Sequence, residues 1–220
     1  MNAKVIITGA TGMVGEGVLH ECLLSKDVEN ILVINRRPCG IQHPKLKELI
    51  HEDFSDFTSI EKELVGYNAA FLCMGITSVG ASEEVYTKIT YQYTLALAKT
   101  LATLNKEMVI CYVSGAGTKQ DEDIKNMWMR VKGKTEKALQ QLPCKAAYMF
   151  RPGYIQPTKG LKNTYTMYKV IAPLYPLWKL LLPKHACTLR QIGQAMIHTV
   201  TKGYDKTILE VPDIEKLAKA

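Results

Sequence analysis

Strand candidates recur along the chain at Val5–Thr8, Ile31–Asn35, Leu49–Glu52, Ala69–Met74, Met108–Val113 and Ala147–Phe150, and most of them are continuous apolar runs. Runs without polar alternation are the pattern of strands buried on both faces, as in a parallel sheet covered by helices. The stretches between them predict helices over Met13–Ser25, Ser59–Leu64, Glu83–Leu104 and Asp123–Gln141. Strand and helix therefore alternate. That order predicts an α/β fold, a doubly wound parallel sheet with its ligand crevice at the C-terminal strand edges. Past Phe150 the alternation becomes irregular, with Pro152, Pro157, Pro173, Pro176 and Pro183. A helix near Leu189–Thr201, a strand near Ile208–Val211 and a helix from Asp213 close the chain. The expected organisation is one domain over 1–220, with a core at 1–152 and a small C-terminal lobe at 153–220 on the substrate side.

The first strand runs directly into glycines at Gly9, Gly12 and Gly15, and then into the first helix. The spacing is G-x-x-G-x-x-G, and glycines alone are a weak signal. Their place between a strand and a helix, with a second strand following, makes them a nucleotide-binding turn. Gly9 would take a positive φ. Gly12 would let the backbone approach a pyrophosphate, and Gly15 would let the helix pack against the strand. The helix N-terminus, through the amides of Gly12, Met13 and Val14 after Thr11, would hold the phosphates.

The second strand ends at Asn35 and is followed by Arg36 and Arg37. NAD enzymes usually place a carboxylate about 20 residues beyond the glycines, on the ribose 2′-hydroxyl. Two guanidiniums there suit a 2′-phosphate instead, through forked, charge-assisted hydrogen bonds. The expected cofactor is NADP(H) in preference to NAD(H); the bland alternative is a solvent-facing arginine pair. Asp53, with Phe54 after it, would either accept from the adenine amino group or cap a turn. Met74-Gly75, ending the fourth strand, would let sugar and phosphates pass the sheet edge.

Composition narrows the class. The chain has 220 residues, of which 47% are hydrophobic and 22% charged, as in an ordinary globular domain. No apolar run reaches the roughly 18–20 residues of a membrane span. The cysteines at 22, 39, 73, 111, 144 and 187 form no C-x-x-C pair or zinc spacing. Cys73 and Cys111 fall in strands and read as small buried hydrophobes. These features, and a first strand too early for a leader, point to a reduced cytoplasmic protein without a structural metal. The net charge is +7. Residues 1–150 are balanced, with 17 basic and 17 acidic side chains, whereas 151–220 hold 11 basic and 4 acidic. Such a lobe is either a solvated basic surface or a contact for a phosphorylated substrate or an anionic membrane; nucleic acid is not the expected partner.

With these pieces in order, the chain resembles the short-chain dehydrogenase/reductase superfamily, in its extended, epimerase-like or atypical branch. The resemblance rests on Thr8-Gly9-Ala10-Thr11-Gly12-Met13-Val14-Gly15, Arg36-Arg37, Asp53, Met74-Gly75-Ile76-Thr77, Val113-Ser114, Lys132-Gly133 and Arg151-Pro152-Gly153. It implies a Rossmann domain binding NAD(P), with Pro152 beside the cofactor and an oxidoreductase activity on a small carbonyl or sugar-like substrate. It implies that Ser114 orients a carbonyl and that Lys132 bonds the nicotinamide ribose and lowers a tyrosine's pKa. It also implies a homodimer through Glu83–Leu104 and Asp123–Gln141. The tyrosine belongs four residues before Lys132, one turn away on the same face. Trp128 stands there, and an indole donates a hydrogen bond but is no acid at neutral pH.

Three accounts of Trp128 stay open. Tyr154 supplies the proton, or water does, or the indole closes the pocket and leaves a catalytically silent NADP(H)-sensing protein. A second Tyr-x-x-x-Lys at Tyr165 and Lys169 lies in the wrong part of the chain. Val170–Leu182, within a basic-flanked stretch at 162–184, reads as a substrate lid, an interfacial membrane segment or proline-broken core. Asp121, Glu122 and Asp123 favour a helix start.

Overall fold

A computed structural model of the chain describes residues 2–121, 124–164, 175, 179–180 and 183–220. The expected Tyr165–Lys169 pair and most of the Val170–Leu182 stretch lie outside the described residues. Seven parallel strands form the main sheet, in the order β3-β2-β1-β4-β5-β6-β9. They are β1 (Ala3–Thr8), β2 (Val28–Asn35), β3 (Leu46–Ile50), β4 (Ala69–Leu72), β5 (Val109–Val113), β6 (Ala146–Arg151) and β9 (Ile208–Glu210). The order reverses between β1 and β4, which is the topological switch point where such sheets open a crevice.

Alternation along each strand splits the core in two. Val5, Ile7, Val33, Phe71, Cys111 and Phe150 face α1 (Met13–Leu24), α6 (Leu189–Thr201) and α7 (Val211–Ala218). Ile6, Leu32, Ile34, Ala70, Leu72, Ile110, Tyr112 and Met149 face the other side. That side is covered by α2 (Glu61–Leu64), α4 (Thr94–Leu104) and α5 (Met127–Gln140). Both faces are apolar, so the strands read as continuous hydrophobic runs.

Some boundaries differ from the sequence reading, each for a local reason. The helix expected over Glu83–Leu104 is three pieces: α3 (Glu83–Thr87), a π-helical stretch (Lys88–Tyr93) and α4. The widened turn sets the Thr90 carbonyl 3.5 Å from the Thr135 hydroxyl of α5, which donates to it. α5 starts at Met127, not Asp123, because the Asn126 side chain caps it by accepting from Trp128 N–H and Met129 N–H. α7 starts at Val211, since Pro212 suits a first turn and Asp213 closes a capping box with Glu210. A small pair, β7 (Tyr154–Gln156) with β8 (Ala186–Thr188), had no sequence signal beyond its brevity. Among the described residues no helix is long and apolar enough to cross a membrane.

Candidate nucleotide-binding site

The turn after β1 is built so that no side chain fits. Gly9 has φ +76°, and a Cβ there would lie 2.7 Å from the Cys73 carbonyl oxygen of the neighbouring strand end. A Cβ on Gly15 would lie 2.1 Å from the Gly9 carbonyl oxygen. These contacts seat α1 directly on the turn. Gly12 is the N-cap and brings no side-chain cap. The first amides of a helix have no intrahelical partner, and here they open toward the crevice with the positive end of the helix dipole.

Two cavities meet at this turn and share Gly12, Cys73, Met74 and Gly75. One, of about 230 Å³, is also lined by Gly9, Thr11, Ile34, Asn35, Arg36, Arg37 and Phe54. The other, of about 540 Å³, is also lined by Met13, Val14, Ile76, Thr77, Val113 and Lys132. A continuous groove therefore runs from the arginine pair, over the start of α1, to the lysine. Arg36 and Arg37 are exposed, and among the described residues neither has a carboxylate partner. Asp53 spends its carboxylate on a turn, accepting from Ser55 N–H at 2.9 Å and from the Ser55 hydroxyl at 2.5 Å. Those bonds hold its pKa below the usual carboxylate range. The turn-capping alternative is the one its described hydrogen bonds satisfy, while Phe54 lines the groove. Cys73 lies just beyond β4 and is partly open to the groove, whereas Cys111 is fully buried. Burial pushes the Cys73 thiol pKa up, so this cysteine is no thiolate.

The far end of the groove holds less of what the sequence suggested. Lys132 Nζ donates to the Val113 carbonyl at 3.0 Å, with the Tyr112 hydroxyl at 3.5 Å and the Tyr112 ring 5.1 Å away. Burial lowers its pKa to about 8, against a smaller upward pull from Glu136. Ser114 is buried, and its hydroxyl shares a 3.2 Å hydrogen bond with Thr118. The Trp128 indole lies over the loop after β5, where a Cβ on Gly115 would be 3.5 Å from its ring. The Tyr154 hydroxyl donates to Gln156 at 2.9 Å. Pro152 is buried with its carbonyl accepting from Ala116 N–H at 2.9 Å. None of Ser114, Trp128, Tyr154 or Pro152 lines the described groove beside Lys132.

What holds this end together is a buried ion pair. Arg151 of β6 donates to Glu136 of α5 through Nε at 2.9 Å and Nη2 at 2.6 Å, and Gln120 joins at 3.1 Å. Glu136 is fully buried and sits one turn beyond Lys132. Gly133 completes the seat, since a Cβ there would meet the Lys119 carbonyl at 1.8 Å. Arg151 and Gly133 thus have structural work to do in motifs that sequence alone assigned to the cofactor. Cys73, Ile34, Asn35, Ile76, Thr77 and Val113 line the groove without having been singled out as site residues. Ile76, Thr77 and Val113 fall inside the motifs that carry the family resemblance, and Ile34, Asn35 and Cys73 lie beside them.

Residues 5–128 match the NAD dependent epimerase/dehydratase family. The chain belongs to that family. It is similar to protein HTATIP2 of Rattus norvegicus, 25% identical over 156 residues, which are 70% of this chain and 63% of the rat protein. The chain thus spans less than two thirds of that relative's length. The mitochondrial protein fmp52 of Emericella nidulans is 28% identical over 161 residues, 70% of this chain and 67% of its own. The Bordetella bronchiseptica enzyme WbmF, solved with NAD+, shares the fold with a TM-score of 0.66 and 14% identity. That alignment covers 99% of this chain and 77% of WbmF. The family is one of nicotinamide-dinucleotide-dependent, oxidoreductase-like proteins with the fold described above.

Proposed function

We propose that this protein binds NADP(H) along the groove and acts as an oxidoreductase on a small carbonyl or sugar-like substrate. The observation carrying the reading is the groove itself, with two guanidiniums that have no carboxylate partner among the described residues at one end, a side-chain-free helix N-terminus in the middle and Lys132 at the other. Arg36 and Arg37 would fork onto a 2′-phosphate. The amides of Met13 and Val14 would hold the diphosphate. WbmF carries NAD+ in its structure; the preference for the phosphorylated form in this chain rests on the arginine pair alone.

When bound, the dinucleotide supplies or accepts hydride at its nicotinamide. The chain's own part is proton handling and exclusion of water. With an indole at the tyrosine's place, Lys132 is the groove-lining group able to exchange a proton near neutrality, through Nζ, with a pKa of about 8. Ser114 can accept from the Thr118 hydroxyl and still donate its own proton to a carbonyl.

A second reading has its own support. The indole at 128 and the inward hydroxyl of Ser114 are what a catalytically silent NADP(H) sensor would carry. NADPH oxidation over a panel of aldehydes and quinones separates the two. The enzyme reading expects turnover that Lys132→Ala abolishes. No turnover across the panel, with NADPH bound tightly, favours the sensor. Turnover created by Trp128→Tyr would mark an enzyme silenced at that position.

A further inference from the structure

The arginine pair does not stand on its own. The stretch from Asn35 to Cys39, where β2 passes into the loop toward β3, is held at both ends by one side-chain oxygen. Glu48, half-buried on β3, accepts through Oε1 from Asn35 Nδ2 at 3.0 Å and from Cys39 N–H at 2.8 Å. Asn35 is 3% exposed, and its carbonyl is also bound, accepting from His51 N–H at 2.9 Å. Between the two anchors lie Arg36, Arg37 and Pro38, whose ring fixes φ. A carboxylate thus does reach the end of β2, where NAD enzymes keep one. It arrives from the next strand, and the oxygen facing that end is taken up by two protein N–H groups.

From this arrangement we infer that Glu48 is the positioning residue for nucleotide selection: it clamps Asn35 and Cys39 so that the intervening guanidiniums are presented at the 2′-phosphate position. The inference rests on the cofactor reading above. Its physical basis is preorganisation. Two long side chains on a loose loop lose more freedom on binding than two on a loop already fixed at both ends. The clamp also ties up the Asn35 amide and Glu48 Oε1, two polar groups at the end of β2 of the kind that bond a free 2′-hydroxyl. A glutamine at 48 keeps an acceptor oxygen at the same reach. An alanine keeps none.

Equilibrium dialysis of NADPH and NADH against wild type, Glu48→Ala and Glu48→Gln tests this, with thermal midpoints measured alongside. Glu48→Ala is expected to weaken NADPH about tenfold, the scale of one charge-assisted hydrogen bond. NADH binding should stay near wild type, the thermal midpoint of Glu48→Ala should fall because the buried Asn35 amide loses its acceptor, and Glu48→Gln should keep most of the NADPH affinity. Unchanged NADPH affinity in Glu48→Ala overturns the inference. So does a parallel loss of both cofactors, which would make Glu48 merely structural. Tighter NADPH binding in both variants would show a repelling charge, and selective loss of NADH would show a ribose ligand; either result also overturns it. The wild-type arms judge the cofactor reading separately. Wild type without a preference for NADPH refutes that reading, and the role given to Glu48 with it, whereas a preference that survives Glu48→Ala refutes only the clamp.

Discussion

The two ends of the groove are made of different things. At the diphosphate end the working surface is backbone: a positive-φ glycine, a helix seated on it at 2.1 Å clearance for any added Cβ, and free amides. At the lysine end it is side chains, and their orientation depends on neighbours far apart in sequence. Lys132 is set by Val113 and Tyr112 of β5, and the helix carrying it is locked by Arg151 of β6 through Glu136. Backbone geometry at the turn tolerates almost no substitution at Gly9 or Gly15. Side chains at the lysine end can be exchanged one at a time while the turn stays intact.

The sharpest way to break this contrast is at the ion pair. Glu136→Ala leaves the Arg151 guanidinium without its buried partner, and loss of one member of such a pair costs about 3–5 kcal/mol. Chemical denaturation should show a loss of that size. A loss under about 1 kcal/mol would mean that the remaining contact to Glu210 at 3.4 Å suffices. Next comes the turn. Gly15→Ala forces a methyl into the Gly9 carbonyl, and overpacking of this kind costs about 1–3 kcal/mol. NADPH binding should fall with it. Gly203→Ala is the control: it has φ +74° but nothing within 4 Å and lies away from the groove, so denaturation should show a smaller cost and dialysis no change in cofactor affinity.

These two ends also differ in how far the sequence disclosed them. The glycine turn, the alternation of strand and helix and the place of the arginine pair after β2 were all legible, because each is fixed by neighbours a few residues away. The Lys132 end was only partly so. Val113-Ser114 correctly marked the end of β5, but nothing local says that Ser114 bonds Thr118 or that Trp128 lies over Gly115. The Glu48 clamp had no motif at all, since it joins a strand to the loop beside it only once β2 and β3 pair. The π-helical stretch escaped for a similar reason: its extra residue is set by packing on α5, which periodicity cannot see.

The smallest expected effect on cofactor affinity is with pH. Lys132 is an ammonium below about pH 8 and neutral above it. If it helps hold an anionic dinucleotide, NADPH affinity should fall severalfold as pH rises through about 8, and Lys132→Met should flatten that profile. Stability should move the other way. Its ordinary pKa is 10.5, so between about 8 and 10.5 the unfolded chain binds more protons than the folded one. Stability therefore rises across that window, and denaturant titrations at either end will show whether Lys132→Met removes the slope.

The central claim is that the groove holds a dinucleotide by its diphosphate and reads its 2′-phosphate with Arg36 and Arg37. Calorimetric titration of the purified chain with NADPH and with NADH, repeated on Arg36→Ala and Arg37→Ala, tests it most directly. The account predicts saturable heat from NADPH, binding of NADH weaker by about tenfold or more, and convergence of the two affinities in the arginine variants. No heat from either dinucleotide, or equal affinities in the wild-type protein, would contradict it.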